Sequence, residues 1–514
     1  MSEEQKTSPS RKRPTTDEFR AFVASGWAPR GTEVTPRAEV ADHAARRRDA
    51  VSAAFPGERL VVPAGGLKVR SNDCDYVFRP HSAFAHLTGL GSDREPDAVL
   101  VLEPRSSADG EGSDGHEAVL YFRPLAERDT EEFFGDSRYG EFWVGARPTL
   151  ADVESELGVT ARHIEEFGEA VGKDAGEVAI RVVRDADAQV ATRVDQAREA
   201  AAGTKEATEA ETRVDRQREA DEQLAAFLST LRFVKDEWEV EQMRDAVDGT
   251  HRGFDAVIAD LPEAVRRGRG ERWVEGVFGL HARHHGNGVG YDSICASGDH
   301  ANTLHWIKNT GDIKDGDLLL LDAGVEVESL FTADITRTLP VSGTFTDAQR
   351  KIYDAVYAAQ EAGIAACKPG NKFSDVHAAA IRVIAEHLHA WGLLPDGVDV
   401  EGTLDADHGQ YHRRWMVHGT SHHLGIDVHD CALATREEYS DAELRPGMVL
   451  TVEPGLYFKA DDELVPDEFR GNGVRIEDDI LITEDGCENL SAAMPRSSAE
   501  VEQWIAGIWG AAKD

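Results

Sequence analysis

The chain has 514 residues, a length that suits about three domains, and its 95 acidic residues outnumber its 56 basic ones by 39. A surface that negative excludes functions resting on phosphate contacts, so neither nucleic acid nor anionic membrane is an expected partner. Five cysteines (Cys74, Cys295, Cys367, Cys431 and Cys487), odd in number and far apart with no CxxC, exclude a disulfide framework and a thiolate metal site, and point to a reducing cytoplasm.

In chain order, residues 1–40 read as a polar, disordered tail with a short helix near Thr16–Ala24. Its basic cluster Arg11-Lys12-Arg13 is read as solvated. The opening Met-Ser-Glu-Glu-Gln-Lys has no apolar core, so no secretory signal is expected, and no run of about 20 apolar residues occurs. Ala41–Phe55 suits a basic helix. Arg59–Pro63 and Ala98–Leu102 suit buried strands, the second forming a hairpin with Ala118–Phe122 across a Gly, Ser and Asp-rich loop. Residues 184–226 combine high helix propensity with a thin apolar stripe, which predicts a solvated helix between two domains. From Phe233 helices alternate with apolar strands. Asp236–Leu261 carries apolar residues at helical spacing, and Thr346-Asp-Ala-Gln349 is a capping box for a helix stopped by Lys368-Pro-Gly370. Ser374 is expected to cap a helix ending at Gly392. Leu318–Leu321, Met448–Val452 and Ile480–Ile482 are expected strands.

Acids and histidines recur at the ends of these strands. Asp322 follows Leu318-Leu-Leu-Leu321, where a carboxylate needs a partner or a cation. Asp334 sits in Ala333-Asp-Ile-Thr-Arg-Thr338, and a hairpin would bring it beside Asp322. His418, His422, His423 and His429 fall within twelve positions. His418 and His422 have the spacing of a zinc-binding HExxH, but Gly419-Thr-Ser421 supplies no glutamate, so that motif is excluded. Glu453 ends Val449-Leu-Thr-Val452 before the turn Pro454-Gly455, and Glu477 lies two residues from Arg475, on the same face of a strand. Asp322, Asp334, His422, Glu453 and Glu477 form a ligand set of four carboxylates and one imidazole, suited to a hard divalent ion such as Mn²⁺. Two ions fit if two of the carboxylates bridge, and such a pair activates water for hydrolysis.

Leu321-Asp-Ala-Gly324, Ala333-Asp-Ile-Thr-Arg-Thr338, His418-Gly-Thr-Ser-His422, Leu424-Gly-Ile-Asp-Val-His-Asp430, Thr451-Val-Glu-Pro-Gly-Leu-Tyr457 and Gly473-Val-Arg-Ile-Glu-Asp-Asp479, in that order, resemble the Xaa-Pro aminopeptidases (aminopeptidase P) of the pita-bread metallopeptidases. The resemblance runs from about residue 233 to the end. It continues more weakly into residues 41–170, through Arg70-Ser-Asn-Asp73, Leu87-Thr-Gly89 and Pro96-Asp-Ala-Val-Leu-Val-Leu102. It implies an α/β (α+β) protein with an N-terminal aminopeptidase P-like domain at 41–183, a helical linker or insertion at 184–232, and a pita-bread catalytic domain at 233–514.

It also implies roles. Asp322 matches the ligand of one ion, Asp334 and Glu477 the bridging carboxylates, and His422 and Glu453 ligands of the second ion. His305, in Thr303-Leu-His-Trp306, matches a histidine lining the substrate site. His418 and His429 match those holding the scissile carbonyl and the proline side. Tyr457, Arg475 and Asp73 match a proton relay. Asp322 and Asp334 stand twelve positions apart, where the family usually has eleven, and an extra residue in the turn near Glu326–Ser329 accommodates this. The implied activity is release of the N-terminal residue from Xaa-Pro-Xaa peptides by a hydroxide bridging two ions, in a cytoplasmic homo-oligomer (dimer or tetramer). The alternatives are a prolidase restricted to Xaa-Pro dipeptides and an inactive pita-bread module that binds partners.

Overall fold

The computed structural model describes residues 15–31, 33–106, 113–202 and 207–511. They form two compact units: residues 15–76, 87–89 and 95–213, and residues 77–86, 90–94 and 214–511. The expectation of disorder for residues 1–14 lies outside the described residues. Asp17–Ala24 is a helix capped by Thr16.

In the first unit, a five-stranded mixed sheet runs in the order Thr160–His163, Ser113–Phe122, Val99–Ser106, Arg59–Pro63, Ile180–Val182. The expected hairpin is present, with Val99 opposite Tyr121 and Leu102 opposite Ala118. The stretch read as a solvated linking helix is in fact two helices, Ala188–Ala202 and Ala207–Thr230. The first packs Val190 and Val194 into the sheet's apolar cluster, and its Arg198 donates to the Ile180 carbonyl at 2.5 Å. An apolar stripe only one residue wide per turn reads as solvated, yet spacing of four suffices here, with Ala197 packed against the same cluster. The division between the units falls within the second helix, after Arg213.

The second unit centres on the antiparallel pair Leu318–Ala323 and Ile335–Pro340, with Asp322 opposite Thr336. Leu318 and Leu320 face one apolar cluster, Leu319 and Leu321 another. Burial on both faces is why the strand reads as an unbroken leucine run. Among the helices packed on these clusters are Glu237–Arg267, capped by Asp236, Asp347–Ala366, capped by Thr346, and Phe373–Ala390. Lys372, not Ser374, is the N-cap of the last; its backbone N–H is held by Asp375 at 2.8 Å, so Ser374 lies inside the first turn. Val449–Val452 pairs with Asp478–Ile482, and Gly455–Phe458 with Asn472–Arg475.

Arg337 ties these strands together. Wholly buried, it donates to Asp478 Oδ1 (2.7 Å) and to the carbonyls of Glu477 (2.6 Å), Met494 (3.1 Å) and Pro495 (2.8 Å). A buried carboxylate left without its partner is strongly destabilising. Arg337→Met is therefore expected to lower stability by about 3–5 kcal/mol, read as an earlier urea midpoint.

Candidate metal centre

Each candidate side chain is positioned by a strand end or by a loop docked on one. Asp322 is the penultimate residue of its strand, and Asp334 stands just before the paired strand begins. The Tyr291 hydroxyl lies 2.7 Å from Asp322 Oδ1 and 2.5 Å from Asp334 Oδ1, so its single proton is shared between them. Between them the chain forms a compact loop: Val327 N–H donates to the Phe331 carbonyl (2.9 Å), and Leu330 takes a left-handed φ of 76°.

The histidine segment is laid along the strand that bears Glu453. Thr451 N–H donates to the His422 carbonyl (2.9 Å), and Glu453 N–H to that of Thr420 (2.8 Å). His422 Nδ1 donates to the His423 carbonyl (3.2 Å). This leaves Nε2 facing Asp334 Oδ2 at 3.3 Å and Glu453 Oε1 at 3.7 Å, the orientation a ligating imidazole needs. Glu477 N–H donates to the Thr336 carbonyl (3.1 Å), and Thr336 Oγ1 donates back to Glu477 Oε2 (2.7 Å). Arg475 bridges outward, donating to Asp322 Oδ2, to Thr336 Oγ1 (3.2 Å) and to the Tyr457 hydroxyl (3.0 Å).

These groups border one cavity of about 490 Å³, lined by Asp322, Asp334, His422, Glu453 and Glu477 together with His305, His418, His429 and Arg475. Asp73 belongs to the first unit, exposed in the turn between Val69–Ser71 and Cys74–Asp75. His418 is more committed than expected of a residue facing the carbonyl. Its Nδ1 donates to the Gly419 carbonyl (2.7 Å) and its Nε2 accepts from Tyr457 (2.7 Å), while burial pushes its pKa down to about 3. His429 packs edge-on against His422, ring centroids 4.5 Å apart, and burial lowers its pKa.

The electrostatics test whether cations fit. Burial pushes Glu453 up to about 7 and Glu477 well above the carboxylate range, where Asp334 and Glu453 add repulsion. Asp322 is raised by burial against the pull of Arg475. Burial works against the charged form of His422, but its bond to Asp334 outweighs this and holds the pKa at about 9. Anionic groups this crowded take up protons unless cations balance them. Atoms of Asp334, His422 and Glu477 lie within 4.8 Å of one another, the span of a shared ion. The oxygen-rich donor set fits hard divalent ions.

Comparison with known proteins agrees with this geometry. Residues 241–484 match the model of metallopeptidase family M24, and residues 43–181 that of the aminopeptidase P N-terminal domain. The chain is 50% identical over 496 residues to Xaa-Pro aminopeptidase 1 of Streptomyces coelicolor, covering 96% of this chain and 93% of that protein. The chain belongs to metallopeptidase family M24. This M24 chain is also 33% identical to the Xaa-Pro aminopeptidase of Escherichia coli, over 89% of its own length and 96% of that protein. Its fold matches the solved aminopeptidase P of E. coli with the inhibitor Pro-Leu at a TM-score of 0.75 and 30% identity, covering 91% of this chain and 98% of that one. It is a hydrolase of mixed helix and sheet with a pita-bread catalytic domain, and the family uses divalent metal ions.

Tyr291 and Thr336 were not singled out by the sequence. Nothing around Gly290-Tyr-Asp292 marks the tyrosine. Thr336 was readable, because in Asp334-Ile-Thr-Arg-Thr338 the two threonines alternate with Arg337 and so share a face. Thr336→Val keeps the side chain's shape and removes the bond to Glu477. Metal affinity, measured by chelator competition, is expected to fall about 10–100-fold. His422→Ala is expected to lower metal content by elemental analysis with the fold intact by circular dichroism.

Proposed function

We propose that the chain is a metal-dependent aminopeptidase releasing the first residue of peptides with proline in second position. The observation carrying this reading is the arrangement of His305, His418 and His429 around the same cavity as the five ligand candidates. Asp322, Asp334, His422, Glu453 and Glu477 hold two divalent ions, most simply Mn²⁺ given one nitrogen among the donors. When bound, the ions supply an activated water and polarise the carbonyl preceding proline.

The remaining steps belong to side chains. Glu453, which borders the cavity beside the other ligand candidates, takes a proton from the attacking water and returns it to the proline nitrogen. Returning that proton is needed because the leaving nitrogen of a tertiary amide is otherwise strongly basic. His429 stands on the cavity wall beside His422 and donates to the carbonyl oxygen as it becomes negative. His418, with both ring nitrogens engaged, orients Tyr457. The path His418–Tyr457–Arg475–Asp322 is continuous in hydrogen bonds and serves as the proton relay. His305, exposed at the rim, contacts the peptide beyond the scissile bond.

Residues 41–183 and 233–514 are taken as the N-terminal and catalytic domains, joined through 184–232. Exposed Phe142 and Trp143, each 60% accessible, support a homo-oligomer. The free thiols support a cytoplasmic setting. Among the described residues no helix is long and apolar enough to cross a membrane.

Glu453→Ala is expected to lower kcat on a Xaa-Pro-Xaa peptide by about 10²–10⁴-fold with the fold intact; retained turnover contradicts the role given to this residue. The wild-type enzyme should cleave the tripeptide faster than a Xaa-Pro dipeptide, and the reverse order would favour a prolidase. Metal-stripped protein should regain most activity with Mn²⁺ when Mn²⁺, Zn²⁺ and Co²⁺ are added back separately.

A further inference from the structure

His305 reaches the cavity from an irregular segment, residues 298–311, that follows the strand Ile294–Ser297 and carries only a short 3-10 turn at Gly298–Asn302. Such a segment is a poor platform for a side chain that must be placed accurately, unless something outside it fixes its path. The structure supplies one residue that does so from beneath. Glu271, in the first turn of the helix Gly270–His285, is fully buried. Its Oε1 accepts from the Ser297 backbone N–H (3.0 Å) and from His300 Nδ1 (2.7 Å). Its Oε2 accepts from the Trp306 indole N–H (2.9 Å) and from the Gly311 backbone N–H (2.5 Å).

Ser297 closes the strand just before the segment, and the other three donors, His300, Trp306 and Gly311, come from its beginning, middle and end. The attachment at the far end is reciprocal, because Glu271 N–H also donates to the Gly311 carbonyl (3.2 Å). The neighbouring Arg272 reaches the Lys308 carbonyl (3.1 Å). His300 and Trp306 stack with centroids 3.9 Å apart, so two of the carboxylate's partners also hold each other. Gly311 has no room for a side chain: a Cβ there would come within 2.8 Å of the Glu271 carboxyl and of His300. A buried carboxylate keeps its place only while its donors stay in place, and moving the segment would strip it of several at once. Trp306 is the residue next to His305, and Leu304, His305 and Ile307 all line the cavity.

We infer that Glu271 is a positioning residue for substrate binding, which fixes residues 298–311 so that His305 and its neighbours meet the peptide. This rests on the aminopeptidase reading above. Glu271 touches none of the five ligand candidates, so its removal acts on the substrate side of the site and leaves the metal side intact.

A double-mutant cycle on the metal-loaded enzyme tests this, using kcat/KM for a Xaa-Pro-Xaa peptide. Glu271→Gln keeps the shape but cannot accept from all four donors. It is expected to lower kcat/KM about 10-fold or more, with metal content by elemental analysis unchanged. The double variant Glu271→Gln/His305→Ala is expected to be no worse than His305→Ala alone, because the two act as one unit. Additive losses, an unchanged kcat/KM in Glu271→Gln, or loss of metal would overturn the inference. Should Glu271→Gln fail to fold, Trp306→Phe removes one donor and keeps the ring stack; the same non-additivity with His305→Ala is then required. A wild-type enzyme inactive on the peptide would contradict the aminopeptidase reading itself, whereas additivity in an active enzyme contradicts only the role of Glu271.

Discussion

Four carboxylates, Asp322, Asp334, Glu453 and Glu477, are brought from three separate strand regions to one buried cavity, and burying them together is the constraint around which the catalytic unit is built. In the protein alone, the cations facing them are Arg475 and a protonated His422. That balance is incomplete, which is why burial and mutual repulsion drive Glu453 and Glu477 upward. Divalent ions complete it. The same arrangement that is costly without metal is therefore a site of high affinity with it.

The surrounding framework holds these groups while shielding them from water. Arg337 pins the strand after Glu477 to the segment near Pro495, and Thr336 and Thr338 hold Glu477 and the Arg475 carbonyl from the facing strand. Leucines on both faces of Leu318–Ala323 lock that strand between two apolar clusters, which sets where Asp322 emerges. The substrate side is held by a separate device, the buried Glu271 beneath the segment bearing His305. Ion binding and peptide binding thus rest on different parts of one unit.

Much of this was legible in the sequence, for identifiable reasons. An acid after four leucines, or a glutamate before Pro-Gly, conflicts locally with its surroundings, and such conflicts gather at functional sites. Caps were legible where the side chain itself makes the bond, as at Thr346. Ser374 misled because a serine near a helix start signals a cap whether or not it occupies that position. Helix 188–202 was misread because composition shows how much apolar surface exists, not where it packs. Tyr291 and Glu271 left no local mark at all. Their roles come from partners far along the chain, Asp334 for the tyrosine and Trp306 and Gly311 for the glutamate. The family resemblance groups Tyr457 and Arg475 with Asp73; the bond from Arg475 to Tyr457 is present, and the continuation to Asp322 left no mark in the sequence.

The charge balance at the centre can be measured directly. Calorimetry of Mn²⁺ binding to the metal-stripped protein at pH 7, repeated in buffers of different protonation enthalpy, counts the protons released as the ions enter. Release of at least one proton per chain is expected, because His422 and the raised carboxylates hold protons that the ions replace. Binding of Mn²⁺ with no proton released would contradict this charge balance.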